Sequence, residues 1–138
     1  AALMFGAYDF AASIGAAPDW EPLLLARSQV VLAAAAAGID AIDSPWGSIA
    51  DLEGLRESCE RARRLGFAGR GAIHPSQLEI INRAFSPPEE ELSLARQIVR
   101  AADEQGEGAI RLNGRMVDRA VVRAARRTVA SAQGSGAA

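Results

Sequence analysis

The sequence predicts an α/β fold built on a parallel sheet. Three short apolar runs, at residues 3–5, 39–42 and 67–73, alternate with longer stretches in which apolar residues recur at helical spacing. Only short segments connect the runs to the helical stretches. Alternation of this kind is typical of parallel strands with helices packed outside the sheet.

The first predicted strand and helix lie in the opening third of the chain. The run at 3–5 is followed by a glycine and then by an acidic residue, which predicts a buried strand that ends in a turn. Residues 11–18 are mostly small and indicate a loop. A helix is predicted over 21–37, with Arg27 available to face water, and a glycine stops it.

The second and third strands flank an amphipathic helix predicted over residues 49–65. Asp51 lies at the start of this helix as an N-cap or first-turn acid, and Gly66 is its candidate C-cap. The third strand ends at His74. The proline that follows fits the first position of another helix, so the strand is expected to turn directly into that helix.

A separate segment begins at Ser86 with SPPEEELSLARQIVRAADEQG, a helical pattern whose first turn holds acids that the helix dipole favours. Asn113 and Gly114 lie between two short extended runs and predict a hairpin. Residues 117–130 return to helical spacing. The chain therefore divides into residues 1–85, an extension at 86–130 and a tail at 131–138 that we expect to be disordered.

Composition and charge exclude several classes of protein. The 138 residues carry a net charge of only -2, so there is no basic field to hold a nucleic-acid backbone. The apolar run at 30–37 is too short to span a bilayer, and the first ten residues lack the basic region of a signal peptide. A single cysteine, Cys59, fits a reducing compartment. We expect a cytoplasmic protein without nucleic-acid or membrane partners.

Two scarce residue types limit the chemistry. The chain has no lysine, which excludes a Schiff base with a carbonyl substrate. It has one histidine, which excludes a multi-histidine metal site built from this chain alone. Any carbonyl chemistry must therefore use an acid or a metal, and the oxygen ligands that remain suit magnesium.

Polar residues at the ends of the predicted strands are the candidates for a site. Asp9 follows the first strand, Asp43 ends the second, and His74 closes the third. A turn or capping aspartate and a packed histidine would produce the same pattern, so both interpretations stay open. Arg70 lies within the third strand and must point into a core or a site, where a buried arginine needs an anion.

Four stretches carry a family resemblance: FGAYDFAASIG, AGIDAIDSPWGSIADLEGL, ARRLGFAGRGAIHPSQLEIINRAFSPPEEE and LNGRMVDRAVVRAARR. Together they resemble the carboxyl-terminal half of the citrate lyase beta-subunit-like family, within the magnesium-dependent hydroxyacyl-CoA aldolases and malyl-CoA lyases. The resemblance implies a (β/α)8 TIM barrel in which residues 1–85 supply the sixth, seventh and eighth strands. Residues 86–130 then correspond to the family's extension. Active sites of such barrels lie at the carboxyl ends of the strands.

The resemblance also implies roles for individual residues. Family members hold Mg²⁺ with a glutamate after the fifth strand and an aspartate after the sixth; Asp9 matches the aspartate, and the glutamate has no counterpart in this chain. Asp118 resembles an extension aspartate that reaches a neighbouring subunit's active site, which makes it the candidate acid/base group in a homotrimer or larger homo-oligomer. Asp43, His74 and Arg70 become substrate-binding candidates, although Arg70 stands where the family often has lysine.

The resemblance implies a fragment of a magnesium-dependent acyl-CoA carbon–carbon lyase, with a coenzyme A thioester as substrate. Malyl-CoA, citramalyl-CoA and citryl thioesters are the expected substrates. One alternative is an acyl-CoA thioesterase on the same site, because an aspartate and a metal can also activate water. Another is a non-catalytic fragment or structural subunit that needs the missing amino-terminal half of the barrel. In either case His74 fits a residue that organises the barrel rim better than it fits the catalyst.

Overall fold

The computed structural model describes residues 1–106, 109–112 and 114–134. The chain divides into two compact units, Ala1–Phe85 and Ser86–Ala138.

The first unit is built on a parallel sheet of three strands, as the alternating sequence pattern predicts. The strands β1 (Ala2–Met4), β2 (Asp40–Asp43) and β3 (Gly69–Arg70) lie in the order β1-β2-β3. Both pairings are parallel. The helices of this unit are α1 (Ala7–Ile14), α2 (Leu24–Ala37), α3 (Leu52–Leu65) and α4 (Leu78–Phe85), and a 3₁₀ helix, Pro75–Gln77, precedes α4.

The register aligns the carboxyl ends of the three strands. Asp43 at the end of β2 pairs with Arg70 at the end of β3. Just beyond β1, the amide of Phe5 donates to the carbonyl of Ile42 at 2.9 Å, and beyond β3 the amide of Gly71 donates to the carbonyl of Asp43 at 3.1 Å. The segments that leave the three strands therefore start from one edge of the sheet.

Small and aliphatic residues form the core of the first unit. Leu23 and Leu55 have no exposed surface, and full burial of such a side chain contributes roughly 1.5–3 kcal/mol. Around Leu23 lie mainly alanines and phenylalanines, and around Leu55 lie a cysteine and an isoleucine. The buried members of the two clusters are Phe5, Ala7, Ala11, Leu23, Ala34, Ala41, Ala62 and Phe67 in the first, and Leu55, Cys59 and Ile81 in the second.

The ends of α3 follow the sequence-based expectation. Asp51 is the N-cap, and its Oδ1 accepts a hydrogen bond from the amide of Gly54 at 2.9 Å. Gly66 ends the helix with φ at 114°, in the left-handed region that glycine adopts at low cost. Both capping residues are adjacent to the helix ends that they mark, so the sequence alone was enough to predict where α3 begins and ends.

Three expectations for the strands and helices of the first unit were wrong. The first strand, expected to be buried, is an edge strand of the sheet, and all three residues of β1 are exposed. Residues 11–14 belong to α1 and are not a loop; the helix buries Ala7 and Ala11 on one face and ends at Gly15. The strand expected over 67–73 is reduced to Gly69–Arg70. Its partner β2 ends at Asp43, and Pro45 has no amide hydrogen with which to extend the pairing.

The second unit consists of α5 (Glu89–Gln105), an antiparallel hairpin and α6 (Arg119–Gly134). The hairpin strands β4 (Ile110–Leu112) and β5 (Arg115–Val117) confirm the predicted hairpin, and Gly114 between them has φ at 75°. Asn113 lies outside the described residues. The buried core of this unit comprises Ala95, Ile98, Ala101, Ala102, Ile110, Val117 and Ala125.

The end of the chain differs from the expected disordered tail. Helix α6 continues through residues 131–134, so the part of the expected tail that the structure describes is helical. Residues 135–138 lie outside the described part of the chain. Among the described helices, none has the length and apolar character needed to cross a membrane.

Candidate functional site

The candidate site residues of the first unit lie at or just beyond the carboxyl ends of β1, β2 and β3. Asp9 lies in the first turn of α1, which follows β1. Asp43 and Arg70 are the last residues of β2 and β3, and His74 follows β3 as the N-cap of the 3₁₀ helix. The structure brings Asp43 and Arg70 into direct contact. Among the described residues, Asp9 and His74 form no hydrogen bond or ion pair with either of them.

Asp9 presents an exposed carboxylate near Gly6. A Cβ atom placed on Gly6 would lie 3.6 Å from Asp9 Oδ2, within van der Waals contact, so the carboxylate lies directly beside the glycine at the start of the helix. Within the described part of the chain, the carboxylate has no hydrogen-bond or ion-pair partner. An aspartate exposed in this way is available to an external ligand.

The donor chemistry at Asp9 fits magnesium. Mg²⁺ prefers oxygen ligands and is commonly held by one or two carboxylates together with water and substrate. The residues that the structure describes contain no cluster of three or more histidine, cysteine or acidic side chains that could hold a metal by themselves. Asp9 therefore fits the role of a single carboxylate ligand.

Asp43 is the centre of a buried ion-pair network. It has no exposed surface; its Oδ1 accepts from Arg27 Nε at 3.1 Å, and its Oδ2 accepts from Arg70 Nη2 at 2.5 Å. Arg70 also donates to Ser58 Oγ on α3 at 2.9 Å. The anion that a buried Arg70 requires is thus Asp43.

Arg27 corrects the expectation that it faces water. Only 5% of it is exposed, and it points inward from α2. Its guanidinium carbon lies 5.3 Å from the ring centroid of Phe5 and 4.7 Å from that of Trp20. Cation–π contacts at these distances offset part of the cost of removing the charge from water. The aromatic partners are distant in sequence from one another, so helical periodicity gave no signal for them.

The network buries more positive than negative charge. Two guanidinium groups share the carboxylate of Asp43, and both Arg27 Nη1 and Arg70 Nε are buried without a hydrogen-bond partner among the residues that the structure describes. Burial lowers the pKa of Arg70, and the charge of Asp43 opposes that shift. Burial raises the pKa of the Cys59 thiol, and the nearby charge of Arg70 opposes that shift. The raised pKa disfavours the thiolate form and its use as a nucleophile.

His74 acts within its own turn. Its Nδ1 accepts from the amide of Ser76 at 3.2 Å and lies 2.8 Å from Ser76 Oγ, so the ring caps the 3₁₀ helix. The side chain is exposed. Gln77, which the sequence did not single out, has no exposed surface and donates to the carbonyl of Trp46 at 3.1 Å.

Asp118 lies in the second unit, between β5 and α6. It is exposed, and its Oδ1 accepts from the amide of Val121 at 2.9 Å, the geometry of a helix N-cap. A capping role therefore accounts for one carboxylate oxygen.

The second unit also contains a surface pocket of ≈ 390 Å³, which holds none of the expected site residues. It is lined by Ala102, Asp103, Gly106, Arg119, Val122, Arg123 and Arg126. Arg126 is paired with Asp103 at 2.5 Å, so part of the positive charge of this pocket is already neutralised. The carboxyl edge of the parallel sheet remains the better candidate site.

The chain is similar in sequence to a known protein family and to several characterised proteins. The model of the family described as HpcH/HpaI aldolase/citrate lyase matches residues 1–75. Citrate lyase subunit beta of Leuconostoc mesenteroides subsp. cremoris is 39% identical over 81% of this chain, which covers 38% of that protein. A (3S)-malyl-CoA thioesterase of Cereibacter sphaeroides is 35% identical over 95% of this chain, which covers 48% of it.

A solved structure is similar over most of the chain. The protein CitE from Mycobacterium tuberculosis, in complex with magnesium, acetoacetate and coenzyme A, superimposes with a TM-score of 0.75 at 33% identity. The match covers 94% of this chain and 51% of that one. The chain spans less than half the length of the two curated relatives described above.

Proposed function

Because the chain belongs to the HpcH/HpaI aldolase/citrate lyase family, in which its relatives include carbon–carbon lyases, we propose that it is part of a magnesium-dependent acyl-CoA carbon–carbon lyase. Its substrates would be malyl-CoA, citramalyl-CoA or citryl thioesters. The observation that carries the proposal is the exposed carboxylate of Asp9 at the carboxyl edge of a parallel sheet, which has no hydrogen-bond or ion-pair partner in the described ranges.

We place the three strands β1, β2 and β3 as the sixth to eighth strands of a TIM barrel, with residues 86–130 as its carboxyl-terminal extension. The parallel order of the strands and the short share of each relative that the chain covers support this placement. The active protein would then include a part equivalent to the first five strands. That part would provide the second metal ligand, a glutamate.

Bound at Asp9, magnesium would supply a Lewis acid that polarises a carbonyl oxygen of the substrate and stabilises the negative charge that develops on it. Asp9 would hold one side of this site from the first turn of α1. The buried Arg27–Asp43–Arg70 network would keep the adjoining strand ends in register from below the site. Asp43 and Arg70 would thus support substrate binding indirectly, whereas the exposed His74 would be able to reach a substrate.

Asp118 would act as the acid/base group of a neighbouring subunit in a homotrimer or larger homo-oligomer. Its capping bond engages Oδ1, which leaves Oδ2 to take up or release a proton. In the cleavage direction, the carboxylate would remove a proton from the substrate hydroxyl as the carbon–carbon bond breaks.

Hydrolysis of the thioester is the second candidate function, since a (3S)-malyl-CoA thioesterase is among the relatives at 35% identity. The same aspartate and metal could direct water to the thioester carbonyl. A non-catalytic role, as a subunit that completes another polypeptide's barrel, is the remaining alternative.

An assay of product identity tests the proposal. The chain, purified with any polypeptide that accompanies it, is incubated with (3S)-malyl-CoA and Mg²⁺; a lyase releases acetyl-CoA and glyoxylate, and a thioesterase releases malate and free coenzyme A. Asp9→Asn should lower turnover on the order of 100-fold or more. Asp40→Asn, an exposed aspartate at the other end of β2, is the matched control and should leave turnover unchanged. Equal turnover of both variants would overturn the assignment of Asp9.

A further inference from the structure

The first amide of helix α1, which carries Asp9, is capped by a side chain that follows strand β2. Its own N-cap residue, Gly6, has no side chain to accept a hydrogen bond. The amide of Ala7, the first residue of the helix, donates instead to Ser44 Oγ at 3.2 Å. Both residues are buried, with Ala7 2% and Ser44 3% exposed, so water is not positioned to replace this bond.

Ser44 lies just beyond the end of β2, next to residues that several hydrogen bonds hold in place. It directly follows Asp43, whose carboxylate is fixed by two buried arginines and whose carbonyl accepts from Gly71 at 3.1 Å. One residue earlier, the carbonyl of Ile42 accepts from Phe5 at 2.9 Å. The chain entering α1 is therefore tied to the end of β2 at two points, and the Ser44 bond is the one of these two that reaches into the helix.

Asp9 lies two residues after Ala7 in the same helical turn. Its own carboxylate has no partner in the described part of the chain, so the direction of this side chain depends on the backbone that carries it. We propose that Ser44 is a positioning residue for Asp9: its hydroxyl fixes the first turn of α1 and thereby the place at which the Asp9 carboxylate meets a divalent cation. This inference rests on the proposed function, in which Asp9 is a metal ligand.

Loss of a group that orients a metal ligand typically weakens metal affinity roughly 10- to 100-fold. Ser44→Ala removes the acceptor. Ser44→Cys keeps nearly the same volume but offers a weaker acceptor, so it tests the hydrogen bond without leaving a cavity. Ser13→Ala is the matched control, because Ser13 belongs to the same helix and donates to the carbonyl of Phe10 on the exposed surface.

The test is an NMR titration of the full chain with Mn²⁺, in which the paramagnetic ion broadens the amide signals of α1. The initial slope of broadening against Mn²⁺ concentration reports affinity even where binding is weak. Relative to the unmodified chain, we expect the slope to fall about 10-fold or more for Ser44→Ala and by a smaller factor for Ser44→Cys. Ser13→Ala should leave the slope unchanged. The amide of Ala7 should exchange with solvent faster in both Ser44 variants.

The possible outcomes distinguish a failure of the Ser44 positioning role from a failure of the metal-ligand role proposed for Asp9. If Asp9→Asn removes the broadening but both Ser44 variants retain the full slope, Asp9 is a metal ligand and the positioning role of Ser44 is overturned. If Asp9→Asn broadens as the unmodified chain does, the metal-ligand assignment fails and the Ser44 proposal fails with it. Should Ser44→Ala not fold, the slope of Ser44→Cys decides the question.

Discussion

Arg70 and Asp43 form an ion pair that is closed to solvent: Nη2 and Oδ2 are 2.5 Å apart, and the two side chains are 2% and 0% exposed. Arg27 approaches the other carboxylate oxygen at 3.1 Å. Two strand ends and helix α2 therefore meet at a single carboxylate. A buried pair of this kind adds little over a well-packed apolar substitute, but removing one partner leaves charge without compensation.

Asp43→Asn should therefore lower the free energy of unfolding by about 3–5 kcal/mol, because two buried guanidinium groups lose the carboxylate that both of them contact. Urea unfolding followed by circular dichroism measures the change. Asp40→Asn alters the same residue type at the exposed start of β2 and should change stability by less than about 0.5 kcal/mol. A similar loss of unfolding free energy in the two variants would show that Asp43 does not stabilise the fold through its ion pairs with the two arginines.

Cys59 should make stability depend on alkaline pH. Its pKa is raised above the ordinary 9.0 by burial, so the folded state keeps a proton that the unfolded state releases. The unfolded state then binds fewer protons, and the free energy of unfolding falls as the pH rises through about 9. Urea midpoints measured between pH 8 and 10 should decline more steeply for the unmodified chain than for Cys59→Ala. Parallel declines would contradict the prediction.

Two substitutions of Asp118 should distinguish its role as a helix cap from its proposed role as an acid/base group. Asp118→Ala removes the acceptor for the Val121 amide and should destabilise the chain by about 0.5–2 kcal/mol. Asp118→Asn preserves an N-cap oxygen but cannot take up a proton, so it should keep stability near that of the unmodified chain while abolishing malyl-CoA turnover. Thermal unfolding and the product assay report the two effects, and full turnover in Asp118→Asn would exclude the acid/base role.

Burial should distinguish two leucines at the start of α2. Leu23 has no exposed surface, whereas Leu25 is 71% exposed. Leu23→Ala should lower the free energy of unfolding by about 2–5 kcal/mol, through lost burial and the cavity that remains. Leu25→Ala, the same substitution two residues away, should change it by less than about 0.5 kcal/mol. Comparable losses in urea unfolding would mean that the core is not centred on Leu23.

Helix α1 shows why part of the fold escaped prediction. Its end at Gly15 carries a local signal, but its start does not, because Gly6 offers no capping side chain. The group that caps it, Ser44, is 37 residues away in sequence. A helix start that depends on a distant partner resembles a loop of small residues when only the neighbouring sequence is considered.

The candidate site, like helix α1, could be predicted from the sequence only in part. Strand-end aspartates could be named from sequence because the carboxyl ends of parallel strands meet at one edge. The catalytic, metal-binding and substrate-binding roles of Asp9, Asp43, Arg70, His74 and Asp118 stay predictions. What the sequence could not supply was the inward direction of Arg27, since a single arginine in an apolar helix fits a water-facing position equally well.

By itself, the sequence determined the alternation of strands and helices, the glycine and aspartate caps of α3, the hairpin of the second unit and the resemblance to a lyase family. These features depend on residues a few positions apart, where backbone preferences and side-chain spacing act directly. Tertiary structure alone decided that Asp43 pairs with Arg27 and Arg70, 16 and 27 residues away, and that Ser44 caps α1. Such contacts form only when the folded sheet brings strand ends together, because burial then makes each polar group require a partner.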